Sequence, residues 1–257
     1  MMRISLFSFL LILVSNILPA QGTEKNSSIV LIPFLPEFYL SDAERDIMAQ
    51  THRSPDEYRY YFRKTLDLKI QAELEELGVC HSMLQDTTKN GKLLLEKFYE
   101  KAGYSYSEPV GTKTKNENIF SKISKSLEET PDQHTSEKVF TADGEQKFMQ
   151  AEIKDTALLN SICSNSQSHL IVSINQFEIR TNYKTCIDIS NKIYQRDLII
   201  HYSIFNTSGK QLKGNYIAIS FPSNSSSDRE IGERLFPEIA RVLRQEIEKL
   251  NHLATTE

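Results

Sequence analysis

Ile29-Val30-Leu31-Ile32-Pro33-Phe34 is the stretch that narrows the folding options most. It is short, β-branched and without polar alternation, so as a strand it has no face to give to water and must be covered on both sides. Downstream, Ser54-Pro55-Asp56-Glu57 has capping-box spacing with Pro at the first helical position, and Phe62, Leu66, Ile70, Leu74 and Leu77 then recur at helical intervals up to Gly78. Val79 to Leu84 follows at once as a second strand. Strand, helix and strand make a βαβ unit, whose strands are expected to be parallel with a right-handed crossover. Between the first strand and that helix, Ser41-Asp42-Ala43-Glu44 has the same box spacing and predicts a short helix to about Gln50.

The last ninety residues carry the other clear pattern. Leu170 to Ile179 reads as a strand, Asp197 to Phe205 as another, and Asn206-Thr207-Ser208-Gly209 turns into a third, Gln211 to Phe221, with Gly209 where a tight hairpin needs positive φ. Lys192 to Gln195 falls in the connection between the first two. Asn175, Gln176, Glu178, Arg180, His201, Ser203, Lys213 and Asn215 lie among the apolar residues, which predicts one half-polar face turned to water. Ser227-Asp228-Arg229-Glu230 caps a closing helix with Ile231, Leu235, Ile239, Leu243 and Ile247 on one face, kinked or split near Pro237.

Between these halves the signal weakens. Lys92 to Ala102 predicts a short helix, Tyr104 to Thr141 is rich in Ser, Thr, Lys, Glu, Asn and Pro, and Asp143 to Cys163 has a loose helical pattern. A structureless stretch this long inside a compact domain is either disordered or a functional loop, so residues 86–142 are expected to form a partly disordered insertion. The expected fold is α/β (α+β): a mixed sheet with helices mainly on one face, in the order β-α-β-(insertion)-α-β-β-β-α. At 39% hydrophobic and 25% charged residues, one domain over residues 21–257 can bury a core without staples.

The first twenty residues have the form of a secretory signal peptide: Arg3, then an apolar run from Ile4 to Leu18, then Pro19-Ala20. The run is shorter than the roughly 20 residues that cross a bilayer as a helix. Removal would leave a mature chain starting near Gln21, and no later segment is apolar enough to span. A net charge of -4 gives no reason to expect nucleic acid or an anionic membrane as a whole-surface partner. In an oxidising compartment three cysteines allow one internal disulfide. Cys163 and Cys186 are expected at opposite ends of a strand, too far apart to bridge, which leaves Cys80 with Cys163, Cys80 with Cys186, or three free thiols. No CxxC occurs and the six histidines have no ligand spacing, so neither a metal nor a cofactor is expected.

The first strand at Ile29 to Phe34, together with the late strand, strand, Thr207-Ser208-Gly209 turn, strand and terminal helix, resembles the envelope α/β domains of the curli-secretion channel, the TolB amino-terminal domain and the lipoprotein activators of penicillin-binding proteins. The resemblance covers about residues 28 to 85 and 145 to 250. It implies a bacterial cell-envelope protein, periplasmic, secreted or peripheral to the outer membrane, that docks on an envelope protein or cell-wall component and catalyses nothing. The chain departs from the lipoprotein members in lacking a lipidation cysteine, and in carrying a long connection from Leu35 to Glu57 and the 86–142 segment.

The connection after the first strand is the candidate interaction site, because open α/β sheets place ligands beyond the carboxyl ends of their strands. It mixes aromatic and charged side chains, of which Phe38, Tyr39, Asp42, Arg45, His52, Arg59 and Tyr60 are the candidate partner-binding residues. Tyr58, Tyr61 and Phe62 lie at helical spacing and read as core. A hydrolase with a carboxylate pair at Glu37 and Asp42, or a small-ligand binder above the first strand, are the rival readings. No nucleophile elbow or glycine-rich phosphate loop supports an enzyme, and no catalytic residue is assigned.

Overall fold

The computed structural model describes residues 27–110, 139–141 and 147–254. The apolar leader, residues 111–138 and residues 142–146 lie outside the described residues. Strand β1 (Ser27–Ile32) sits inside a mixed sheet, parallel to β3 (Gly78–Ser82) on one side and to β7 (Leu170–Asp188) on the other. Its four apolar residues are all fully buried, Ile29 and Leu31 in one core and Val30 and Ile32 in the core across the sheet. Strands β8 (Ile193–Asn206) and β9 (Gln211–Pro222) continue the sheet antiparallel beyond β7, and a short β5 (Val139–Thr141) closes the order β3-β1-β7-β8-β9-β5. A further short strand, β2 (Tyr39–Ser41), pairs parallel with β7 alone. Gly209 turns β8 into β9 at φ 80°, the left-handed region that the turn requires.

The two longest helices cover one face. Helix α2 (Pro55–Leu74) starts as its sequence dictates: Glu57 Oε2 accepts from both the backbone N–H and the hydroxyl of Ser54, each at 2.8 Å. Phe62, Ile70 and Leu74 of α2 are fully buried against the sheet. The closing helix meets Pro237 at a π-bulge. Glu230–Leu235 is a π-helical turn that runs without a break into α5 (Phe236–Ala254), with the Phe236 N–H donating to the Ile231 carbonyl just before the proline. Ile239, Leu243 and Ile247 of α5 are fully buried, a gross contribution of roughly 5 to 9 kcal/mol. Helix α1 (Glu44–Thr51) completes this face through Ile47. Its expected box is not made: Ser41 Oγ accepts from Ala43 N–H and Asp42 is drawn to β7, so the helix starts at Glu44 without a side-chain cap.

The opposite face carries two shorter helices, α3 (Lys89–Lys101) and α4 (Thr156–Ser166), and a two-stranded ribbon of β4 (Gly103–Ser107) and β6 (Phe148–Glu152). Two expectations are corrected here. Tyr104 to Ser107 opens no loop, and Phe148 to Glu152 is strand where helix was expected. Both segments form by pairing with each other across more than forty residues, and the ribbon's Phe148 and Ala151 are fully buried. Hence the half-polar sheet face is covered rather than turned to water, except at Arg180, which stays exposed. Asn175, Gln176, Glu178, His201 and Ser203 are at most 3% exposed beneath the ribbon. Asn175 Nδ2 donates to the Met149 carbonyl at 2.8 Å, Met149 N–H donates to His201 Nδ1 at 2.8 Å, and the Tyr106 hydroxyl and Gln176 Oε1 are 2.9 Å apart. Lys213 and Asn215 leave this set, since Lys213 turns to the helical face and pairs there with Glu246 of α5.

The cysteines are unpaired. Cys80 is buried in the core under α2, Cys163 in the core on the other side of the sheet, and Cys186 is exposed near the far end of β7. The intervening sheet separates Cys80 from Cys163, and burial pushes the Cys80 thiol up to about 12.

Candidate functional site

The site arises where β1 leaves the sheet. Ile32 is paired with Ser173 of β7 and Tyr39 with Phe177, so seven steps of one chain lie beside four of the other. The surplus, Pro33 to Phe38, is pushed outward and ends in a single 3-10 turn at Pro36–Phe38. Opposite it, β7 carries its own irregularity between Ile174 and Gln176.

Two side chains hold that excursion by its carbonyls. Arg63 Nε of α2 donates to the Phe34 carbonyl at 2.7 Å, and the Tyr99 hydroxyl of α3 donates to the Pro33 carbonyl at 2.7 Å. Arg63 also donates to Tyr99 Oη at 2.9 Å. Such bonds matter because carbonyls at the end of an internal strand have lost their ladder partners. Helix α3, at the start of the expected insertion, is thus part of the site's scaffold. Phe38 packs edge-on against Tyr104 of the ribbon with 4.7 Å between ring centroids.

Between the excursion and α2 lies a pocket of about 260 Å³, lined by Phe34, Pro36, Tyr39, Asp56, Arg59, Tyr60 and Arg63. Tyr39 forms its floor. Its ring stacks on Phe177 at 5.0 Å and 16°, is almost wholly buried, and has a hydroxyl that burial holds well above the usual phenol range. The guanidinium of Arg59 lies 5.5 Å over the Tyr39 ring and pairs with Glu44 of α1, a partly exposed cation–π geometry worth about 0.5 to 1 kcal/mol. Tyr60 stands at the rim, 62% exposed.

Of the candidate residues, then, Tyr39, Arg59 and Tyr60 meet in one pocket, with Phe38 behind its wall. Asp42 is elsewhere: its two carboxylate oxygens accept from Thr181 N–H at 3.0 and 2.8 Å, and the Thr181 hydroxyl is 2.8 Å from Oδ1. Arg45 is exposed on α1, outside the pocket lining, and His52 ends α1 at φ 55°, its N–H bonded to the Met48 carbonyl. Sequence reasoning missed Asp56 and Arg63. A signal existed: Asp56 and Tyr60, and Arg59 and Arg63, are i,i+4 pairs on one helix.

The class that fold and site define is a mixed α/β sheet domain with a small aromatic and arginine-lined pocket at the carboxyl end of a parallel strand. No family model matches the chain, and no curated protein matches it. Among solved structures, one titled "Structure of the Evf virulence factor" aligns over 88% of this chain and 82% of that one, at a TM-score of 0.18 and 6% identity. At that level nothing about fold or function transfers.

Proposed function

We propose that the chain is an exported, non-enzymatic interaction module of the cell envelope, which docks on an envelope protein or cell-wall component through the pocket at the end of β1. The observation that carries this reading is the composition of the pocket: an exposed Tyr60 beside an Arg59 already oriented by Glu44 and Tyr39. Tyr and Arg in a preformed recess are the chemistry of interface anchors. At about 260 Å³ the pocket is at the small end of the about 300–1,000 Å³ range of ligand pockets, room for one ring or one side chain of a larger partner. The carboxylate-pair reading loses support, because both oxygens of Asp42 are engaged by Thr181. The apolar leader from Ile4 to Leu18 supports export, and among the described residues no helix is long and apolar enough to cross a membrane.

The test is capture from the chain's own envelope fraction, run in parallel with Arg59→Ala and Tyr60→Ser. A partner retained by the wild-type chain and bound at least about thirtyfold more weakly by each variant is the expected outcome. A partner held equally by all three would place docking elsewhere.

A further inference from the structure

The hairpin of β7 and β8 is longer than its sheet. The partners of β7 other than β8 end at Ile179, where Ser41 pairs, and β9 reaches β8 only as far as Gln195. From Asn182 to Tyr194 the two strands are therefore bonded to each other, and among the described residues their backbone tie to the rest of the sheet is at Ser223 to Tyr194. Of the connection expected at Lys192 to Gln195 only Lys192 lies in a turn: Ile193 to Gln195 already belong to β8, and the tight turn before them is closed by Asp188 accepting from Asn191 through both backbone and side chain.

A two-stranded ribbon without a core of its own is marginal in water, and here its side chains face outward. Ile189 at the tip is 83% exposed, Ile187 50% and Tyr183 68%. Lys184 and Lys192 flank them, both exposed. The one acidic residue at the turn, Asp188, accepts from Asn191 and keeps its charge, so the arm carries two lysines against one carboxylate. Ile187 and Ile189 lie at the tip, Lys192 shares the turn with Ile189, and Tyr183, its ring against Tyr194, lies with Lys184 further back along the arm; exposed apolar groups with an aromatic ring and lysines beside them are the composition that a bilayer interface takes.

We propose that the β7–β8 arm is a membrane-interface anchor that seats Ile187, Ile189 and Tyr183 shallowly in an anionic lipid surface, with Lys184 and Lys192 on the headgroup phosphates. The excess of lysine over carboxylate on the arm favours this over a protein partner, and the assignment is independent of the pocket at the end of β1. One arm suits reversible, salt-sensitive attachment rather than permanent insertion.

The chain has no tryptophan, so Tyr183→Trp places a single indole on the arm. Its emission should shift to the blue on addition of vesicles of equal parts phosphatidylcholine and phosphatidylglycerol, less so with phosphatidylcholine alone, and the shift should fade in high salt. On the Tyr183→Trp background, Ile189→Ser should weaken vesicle binding about tenfold, and Lys192→Ala about fivefold on the anionic vesicles only. Because Ile189 is so exposed, an unchanged melting temperature should accompany that loss. An indole emission that never shifts, or vesicle binding untouched by Ile189→Ser, overturns the proposal. So does a dimer in light scattering that Ile189→Ser dissolves while vesicles remain unbound, which assigns the arm to a second copy.

Discussion

Tyr39 and Tyr60 line the same pocket yet do different work, and substitution should separate them. Tyr60 is solvated and bears on no core contact, so Tyr60→Ser should leave stability within about 0.5 kcal/mol while weakening partner capture. Tyr39→Ala removes a ring stacked on Phe177 and should cost about 3 to 5 kcal/mol in urea unfolding. Asp42 belongs with the second kind. Its hold on Thr181 pins the chain between β2 and α1, so Asp42→Ala should lower stability by about 1 to 2 kcal/mol without changing capture by a correctly folded chain. Beneath the ribbon, burial pushes the Glu178 carboxyl up, but His201 Nε2, 3.1 Å from Oε1, and the neighbouring Arg180 guanidinium outweigh it and leave Glu178 below the usual glutamate range. The folded state then favours the ionised form. That contribution is complete above the ordinary glutamate value and disappears as pH falls through the lowered one. Glu178→Gln should accordingly flatten the acid limb of a stability-against-pH curve, and an unchanged limb would remove Glu178 from the account.

Elements differ in how far their own residues announce them. Strand β1, helix α2 and helix α5 satisfy their patterns locally: an unbroken apolar run, a capping box followed by apolar residues every fourth position, and a stripe that runs past Pro237. The ribbon does not. Gly103–Ser107 buries none of its residues fully and is strand only because Phe148–Glu152 lies beside it. Missing the ribbon is also what left Gln176 and His201 looking solvent-facing, since polarity in a strand does not say whether water or a backbone N–H meets it. The far half of the β7–β8 arm was hidden for the opposite reason, because it has no core to pattern against. The candidate site was legible as a connection beyond β1, down to three of its lining residues; the surplus against β7 that opens the pocket is a register, which one sequence does not show. Where the ribbon meets β9, Gly214 allows the close approach: a Cβ there would come 2.4 Å from the Phe148 ring. Gly214→Ala should therefore cost about 1 to 3 kcal/mol by overpacking and speed amide exchange in β4 and β6 before the rest of the sheet.

At the scale of the whole molecule, one internal strand explains the layout. Because β1 is apolar on both sides, each face of the sheet needs a cover, and the second cover is assembled from α3, α4 and the ribbon. The same covers brace the pocket, α2 through Arg63 and α3 through Tyr99, so the site sits on rigid elements even though its wall is an irregular excursion. The most direct check of this picture is amide hydrogen exchange on the chain alone and in complex with its captured partner. Protection gained at residues 34–63, with β7, β8 and β9 unchanged, is the predicted result. Protection gained elsewhere while 34–63 exchange as before would contradict the assignment of the pocket as the docking site.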